Sequence, residues 1–231
     1  MKIYAIGDLH LGLNMDKPMN IFGETWENHV ERLAAQWRAI VTPEDVVVLC
    51  GDLSWAMRLE HAQADLDFIV SLPGKKVCIK GNHDYWWEKI GVLNTLYDNM
   101  HFIQNTAYEI GDYVICGTRG WQSQDAPSPE DEKIYKREVE RLRLSLKEGM
   151  KKGARQLIVA LHYPPTYACK RTSPFTQLID EYPVRHVVYG HLHDEKAWQE
   201  ALQGEVNKVQ YHLVASDYLS FCPKMIVADE N

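Results

Sequence analysis

Six short runs of apolar, mostly β-branched residues recur along this chain, and they limit the possible fold more than any other feature. The runs are KIYAIG, DVVVLCG, KKVCIKG, DYVICGT, QLIVALH and RHVVYGH. Successive strand residues point to opposite faces of a sheet, so runs without polar alternation are typical of strands covered on both faces. The sequence therefore predicts a sheet core that is enclosed by other elements, without a solvated face.

Helical patterns lie between several of these runs. Apolar residues recur at steps of three and four within the ranges 26–40, 59–69 and 135–146. The third helix has Ser128 as a predicted N-cap and Pro129 at its first position, and it ends near Gly149. After residue 205, NKVQYHLVAS and PKMIVA predict strands without helices between them. We predict one α/β domain over residues 1–231, with a more antiparallel end.

Charge and cysteine content narrow the functional classes. The net charge of −7 disfavours a dedicated nucleic-acid binder, which usually carries a basic stripe. Five cysteines without CxxC spacing argue against a disulfide framework or a zinc-thiolate site, and Cys50, Cys78 and Cys116 are predicted to be small buried residues. The N-terminus does not have the pattern of a signal peptide, and no apolar stretch reaches membrane-spanning length. We expect a cytoplasmic protein that does not contact a membrane.

Polar residues with metal-binding side chains follow five of the apolar runs. The seven candidates are Asp8, His10, Asp52, Asn82, His162, His191 and His193. Sites in open α/β sheets form where the carboxyl ends of strands meet. In an extended chain, residues i and i+2 project together, so each of the pairs Asp8/His10 and His191/His193 is predicted to share one direction. Seven donors exceed one tetrahedral zinc site and fit two metals that share a ligand.

Each of these residues by itself has a structural explanation, and the metal hypothesis depends on the whole set. A single histidine at a strand end is more often hydrogen-bonded within the structure than bound to a metal. The remaining histidines are predicted to be structural or surface residues: His29, His61, His101, His186 and His212. The segment LPGKK lacks the upstream glycine and the hydroxyl residue of a phosphate-binding loop.

The ordered set DLH, GD, GNHD, LH and GHLH over residues 8–193 resembles the calcineurin-like metallophosphoesterase family. The resemblance implies two packed mixed β-sheets flanked by helices. It assigns one metal to Asp8, His10, Asp52 and His193 and the second to Asp52, Asn82, His162 and His191, so that Asp52 bridges. It also implies that His83 acts near the leaving group and that Asp84 orients His83. An alternative for Asp84 is that it caps a helix at DYWWEKI.

The resemblance implies a metal-dependent phosphoric ester hydrolase, a phosphatase or phosphodiesterase, in which a hydroxide shared by two divalent metals attacks phosphorus. Manganese, iron, zinc and nickel all fit the mixed ligands. The second block, GDLSWAM, lacks the arginine of the protein phosphatase branch, and the third ends in Asp84, where that branch has Glu. A metal-dependent nuclease and a non-catalytic scaffold remain alternatives, so nucleic acid is expected only as a nucleotide or nuclease substrate. The oligomeric state is left open.

Further candidates for substrate contact lie close to these motifs. Arg119 in GTRGW could hold a phosphate with its guanidinium. Aromatic side chains nearby could stack on a base or sugar, although burial in the core is the preferred interpretation; they are Trp86, Trp87, Trp121, Tyr163 and Tyr167. The segment WQSQDAPSP is predicted to form a loop that flanks the site.

Overall fold

The fold is described from a computed structural model that covers residues 1–15, 17–122, 127–153 and 156–228. The strands are β1 (Ile3–Ile6), β2 (Val46–Leu49), β3 (Lys75–Cys78), β4 (Met100–Phe102), β5 (Ala107–Ile110), β6 (Tyr113–Thr118), β7 (Gln156–Leu161), β8 (Val184–Tyr189), β9 (Gly204–Val206), β10 (Val209–Leu213) and β11 (Lys224–Val227). The α-helices are α1 (His29–Ile40), α2 (Leu59–Ser71), α3 (Ile90–Leu93), α4 (Pro129–Lys151), α5 (Pro174–Asp180) and α6 (Glu195–Glu200).

The strands form two mixed sheets, as the resemblance implied. In the first sheet, of order β11-β1-β2-β3-β4, strands β1 to β4 are parallel and β11 is antiparallel to β1. In the second, of order β5-β6-β7-β8-β10-β9, the four central strands are parallel and the two edge strands are antiparallel. Because the parallel strands of each sheet run together, their carboxyl ends meet at one edge.

Side chains of the two sheets pack against each other and against helices, which explains the continuous apolar runs. Ile3 and Ala5 of β1 are buried in the layer between the sheets, whereas Tyr4 and Ile6 are buried in the layer beneath α1 and α2. On the second sheet, α4 and α5 cover the outer face. Both faces of the central strands are therefore mainly apolar, with the buried Lys76 of β3 as an exception, and the predicted double coverage is confirmed. The three cysteines at positions 50, 78 and 116 are buried and unpaired, as predicted.

The three predicted helices are present, with shifts at their ends. Ser128 caps α4 by accepting from the backbone N–H of Asp131, and Pro129 is its first residue. The first helix begins at His29, because residues 19–26 form two short 3-10 helices that bring Met19 and Trp26 into the core. Among the helices of the described residues, none has the length and apolar character needed to span a membrane.

Candidate metal centre

The seven predicted metal-binding residues come together where the carboxyl ends of strands from both sheets meet. Asp8, His10 and His193 each offer a ligand atom, and these atoms lie within 4.8 Å of one another. Nε2 of His193 is 3.6 Å from Oδ1 of Asp8. These three residues define a first group, built from the loops after β1 and β8.

A second group shares Asp8 and adds Asp52 and His162, whose ligand atoms also lie within 4.8 Å of one another. Nε2 of His162 is 3.5 Å from Oδ2 of Asp52, 2.5 Å from Oδ1 of Asn82 and 3.2 Å from Nδ1 of His191. Asp52 also reaches the first group, since its Oδ2 lies 3.9 Å from Nε2 of His10. Both Asp8 and Asp52 therefore lie between the two groups.

Several acceptor atoms of these side chains face one another, which is an arrangement that suits bound cations. Nδ1 of His162 is 3.0 Å from the carbonyl oxygen of Cys50, and because a carbonyl only accepts, Nδ1 carries the proton. The lone pair of Nε2 consequently faces the acceptor oxygens of Asp52 and Asn82. Nε2 of His10 also faces Asp52, at 3.9 Å from Oδ2, and Nδ1 of the same ring is buried without a hydrogen-bond partner among the described residues. Lone pairs that converge in this way are satisfied by divalent cations between them, so these residues fit a pair of metal ions.

The electrostatics of the cluster also favour added positive charge. Burial, followed by the charges of Asp84 and Asp8, raises the pKa of Asp52 well above its usual value. Burial also opposes ionisation of Asp8, but His193 and the other imidazoles hold the pKa of Asp8 below its usual value. Burial disfavours a charged His193, yet Asp8 and Asp217 raise its pKa to about 10. Buried carboxylates that depend on protonated histidines can be neutralised equally well by metal ions.

Left-handed backbone conformations, not extended ones, direct these side chains inward. Asp8, His10, Asp52 and His191 have φ values of 58°, 47°, 52° and 73°. The prediction that Asp8/His10 and His191/His193 each project together was based on an extended backbone, and that basis is wrong. The strands end before these residues, and each loop turns sharply at the site. Such conformations are costly for residues other than glycine and are found where the surrounding structure fixes them, often at functional sites.

A family model for calcineurin-like phosphoesterases matches residues 1–195. This chain belongs to the calcineurin-like phosphoesterase family. The match includes all seven cluster residues, as well as His83 and Asp84.

Individual relatives of this chain match shorter stretches. The uncharacterized protein MJ1445 of Methanocaldococcus jannaschii is 32% identical over 93 residues, which is 40% of this chain and 52% of that protein. The Gene 66 protein of Mycobacterium phage L5 is 34% identical over 77 residues, 33% of this chain and 37% of that protein. The match thus spans about half of the Methanocaldococcus protein and little more than a third of the phage protein. The phosphopantetheinyl hydrolase PptH of Mycobacterium tuberculosis has the same fold, with a TM-score of 0.59 at 14% identity over 99% of this chain and 96% of that one.

A cavity of about 360 Å³ opens onto the cluster. His83 lines it, with its ring centroid 4.5 Å from that of Trp55 and 5.8 Å from that of His10. Burial, and then the neighbouring His162 and Lys17, lower the pKa of His83. The other cavity walls are mainly apolar, from Met19, Phe22, Trp26 and Trp55. The space next to the cluster is therefore bounded by His83 and these apolar side chains.

Among the hydrogen bonds of the described residues, those of Asp84 go to backbone groups and an indole, and none joins it to the His83 ring. Within the described residues, its carboxylate accepts from the indole of Trp86 at 3.0 Å and from four backbone N–H groups, those of Asp52, Leu53, Ser54 and Gly81. The backbone N–H of His83 in turn donates to Oδ1 of Asp52 at 2.7 Å. A fully buried carboxylate needs several donors, and the backbone of two adjoining loops supplies them. Asp84 therefore holds the loop of Asp52 against the loop of Asn82 and His83.

The alternative prediction, that Asp84 caps a helix at DYWWEKI, is wrong. Tyr85 and Trp86 lie in a turn, and α3 begins only at Ile90. Trp86 and Trp87 are both buried in the core beneath the first sheet, which the preferred interpretation of these tryptophans anticipated. The turn directs two bulky neighbours into the core, whereas successive residues of a helix would point about 100° apart.

Asp217 is a site residue that the motifs did not reveal. Nδ1 of His193 lies 3.1 Å from Oδ1 and 3.2 Å from Oδ2 of Asp217. Asp217 is buried and follows β10, whose carboxyl end meets the same edge as β8. The rule that polar residues after strands form sites would have identified it in the sequence LVASDY.

Arg119 and the predicted flanking aromatics lie elsewhere or serve packing. Arg119 lines a neighbouring cavity, where Nη2 is 3.6 Å from Oε1 of Glu138 and the guanidinium lies 4.7 Å from the ring centroid of Trp121. Tyr163 packs on His191, with 4.1 Å between ring centroids. Tyr167 is half-buried and lies within hydrogen-bonding reach of Gln122, at 3.4 Å. Of the predicted flanking loop, residues 123–126 lie outside the described residues.

Proposed function

We propose that this protein hydrolyses phosphate mono- or diesters with two divalent metal ions. One ion is held by Asp8, His10, Asp52 and His193, and the other by Asp52, Asn82, His162 and His191. The observation that carries this proposal is the convergence of seven donors, with the Nε2 lone pair of His162 directed at the oxygens of Asp52 and Asn82. Two metals, when bound, would supply Lewis acidity that activates water and neutralises the phosphate oxygens.

The chain's own residues would do the remaining work. Asp52 and Asp84 fix two loops to each other, so that Asn82 and His83 keep their positions relative to the buried carboxylates. The N–H of the His83 ring would donate to the leaving oxygen, which stabilises the charge that develops there. Because burial lowers the pKa of His83, a neutral ring at physiological pH still offers one N–H donor.

The walls of the cavity indicate the kind of ester that binds. Phe22 is 57% exposed and lies at the cavity together with the more deeply buried Trp26 and Trp55. Apolar and aromatic walls bind flat or apolar groups, so the alcohol part of the substrate would contain one. This feature favours aryl or nucleoside phosphates over short polar esters.

Hydrolysis assays with defined metal loading test the proposed function. The protein is stripped with chelator, loaded separately with manganese, iron, zinc or nickel, and assayed with p-nitrophenyl phosphate, its bis ester and single-stranded DNA. Ester hydrolysis that requires added metal supports the proposal. Cleavage of DNA faster than either ester favours the nuclease alternative. Inactivity towards all three substrates in every metal form contradicts the proposal and leaves the scaffold alternative.

A further inference from the structure

A second cavity, of about 380 Å³, lies next to the metal centre, and five of its eleven lining residues are cationic. Its lining includes two carboxylates, Glu88 and Glu138, and five cations, Lys80, Lys89, Arg119, Arg137 and Arg141. The chain as a whole has a net charge of −7. An excess of three positive charges around one cavity is therefore a local feature that the overall composition does not produce.

Glu138 holds the arginines at the wall of this cavity. Its side chain is completely buried, accepts from Oγ1 of Thr118 at 2.6 Å and forms an ion pair with Nη1 of Arg141 at 2.7 Å. Arg119 and Arg137 approach the same carboxylate at 3.6 and 3.8 Å. One carboxylate cannot neutralise three guanidinium groups, so a net positive charge remains at this wall. The arginines are held in place and still have N–H groups that can donate to a ligand.

Other groups around the cavity have unmet hydrogen-bonding capacity. Within the described residues, the side chains of Lys80 and Lys89 form no hydrogen bond or ion pair. Nε of Arg119 and Nε1 of Trp87 are buried N–H donors without a partner there, and Trp87 as a whole is only 9% exposed. Buried donors in proteins are almost always satisfied, so an unmet group of them indicates a missing acceptor.

We propose that this cavity binds a phosphate group, separate from the phosphate that is hydrolysed at the metal centre. A phosphate dianion offers several acceptor oxygens and balances two of the three excess charges, whereas a carboxylate balances one. The guanidinium groups present planar pairs of donors that match phosphate oxygens. Glu138 keeps them in place before the ligand arrives, which lowers the cost of ordering the site.

Two chain segments connect the cavity to the metal centre. Lys80 stands two residues before Asn82. The carbonyl of Arg119 accepts from the backbone N–H groups of His162 and Tyr163, both at 3.0 Å. The bound phosphate group could therefore belong to the substrate, as a second phosphate, or be a free phosphate ion. The shared chemistry is a dianionic phosphate, and kinetic comparison separates the two sources.

Calorimetric titration of the metal-loaded protein with inorganic phosphate tests this proposal without relying on hydrolysis. The variant combines Lys89→Gln with Arg137→Gln, since both side chains are exposed and their replacement leaves the buried Glu138 paired with Arg141. Lys147→Gln is the matched control, because Lys147 is exposed on the same helix as Arg137 and does not line the cavity. The double variant should bind one phosphate fewer than wild type, or bind it at least about tenfold more weakly. Lys147→Gln should match wild type.

Equal stoichiometry and affinity in wild type and the double variant would overturn the phosphate site. This result is distinct from failure of the proposed function, which shows as absence of hydrolysis whatever the number of phosphates bound. The source of the phosphate follows from kcat/KM for adenosine 3′,5′-bisphosphate relative to adenosine 5′-monophosphate. A roughly tenfold lower ratio in the double variant supports a second phosphate of the substrate. Loss of phosphate binding with an unchanged ratio supports a free phosphate ion.

Discussion

The His193 ring is oriented by Asp217, whose Oδ1 lies 3.1 Å from Nδ1 of the histidine. A carboxylate accepts, so Nδ1 carries a proton, and Nε2 lies 3.6 Å from Oδ1 of Asp8, where a bound metal would take the place of the second ring proton. Metal-binding histidines commonly donate their other N–H to a carboxylate, which fixes the tautomer and makes the ligand more basic. His193 and Asp217 follow strands β8 and β10 of the second sheet, whereas Asp8 follows β1 of the first. Both sheets therefore help to position the His193 ring.

Asp217→Ala should weaken binding of the metal held by His193 by about 10- to 100-fold, because the imidazole loses its orienting partner. Asp217→Asn should weaken metal binding less, since the amide oxygen still accepts a hydrogen bond from Nδ1 of His193. Competition with a chelator of known affinity measures the change. Asp112→Asn, at an exposed turn between β5 and β6, is the control and should have no effect. Wild-type metal affinity in Asp217→Ala would show that His193 does not depend on this carboxylate.

His83→Ala should lower kcat for p-nitrophenyl phosphate by about 100-fold or more while the metal content stays unchanged. The reason is that His83 lines the cavity but lies outside both groups of converging ligand atoms. Metal analysis of the purified variant and steady-state kinetics are measured on the same sample. His61→Ala is the control, because this histidine is highly exposed on α2. Loss of a metal ion from His83→Ala would place His83 among the ligands and contradict the assignment.

The sequence predicted the location of the site better than the way it is built. Apolar runs followed by Asp8, Asp52 or His162 located the site at the carboxyl ends of strands, because residues that follow parallel strands all emerge at the same edge of the sheet. The left-handed backbone at Asp8 and Asp52 was not predictable, since spacing alone does not reveal where a strand ends. The same limit explains the wrong helix after Asp84, whose carboxylate is bound by backbone groups from a loop 30 residues earlier.

The apolar walls of the site were also not predictable. Trp26 belongs to a stripe with helical spacing, and Trp55 follows a common GDLS turn, so neither stands out as a site residue. The Trp55 ring stacks on His10, with 4.7 Å between centroids. Trp26 approaches His193, with 6.0 Å between centroids. The 3-10 helices before α1 bring Trp26 to the metal centre, and this long-range packing carries no local sequence signal.

Gly190→Ala should disrupt the metal centre, because a Cβ at this position would overlap the Asp8 carboxylate. Asp8 would have to move away from both groups of ligand atoms, so we expect lower metal content and a loss of about 1–3 kcal/mol in the free energy of unfolding. Gly91→Ala is the matched control, since its Cβ would meet no atom within 4 Å. Metal analysis and urea unfolding measure both effects. Full metal content in Gly190→Ala would show that the carboxylate does not need this close approach.

Lys76 should make the stability of the fold depend on pH above neutrality. Its side chain is completely buried in the first sheet, where Nζ donates to the carbonyl oxygens of Val70 and Leu72. Burial lowers the pKa of Lys76 to about 8, from 10.5 for an unburied lysine. Below a pH of about 8, Lys76 is protonated in both the folded and the unfolded chain, so the free-energy cost of burying its charge is fully present. Between the two values the unfolded chain binds the proton more tightly, so stability from this group rises with pH.

Lys76→Met isolates this contribution, because methionine keeps an apolar stem and does not titrate. The free energy of unfolding of wild type minus that of Lys76→Met should increase as pH rises from 8 to 10.5, by on the order of 2 kcal/mol. Urea unfolding of both proteins in the presence of chelator gives this difference and removes the contribution of metal binding. The buried thiols of Cys50 and Cys116 contribute equally in both proteins and cancel in the subtraction. Cys78 is electrostatically coupled to Lys76, so both proteins carry Cys78→Ala. A difference that stays constant with pH would mean that folding does not perturb the Lys76 ammonium group.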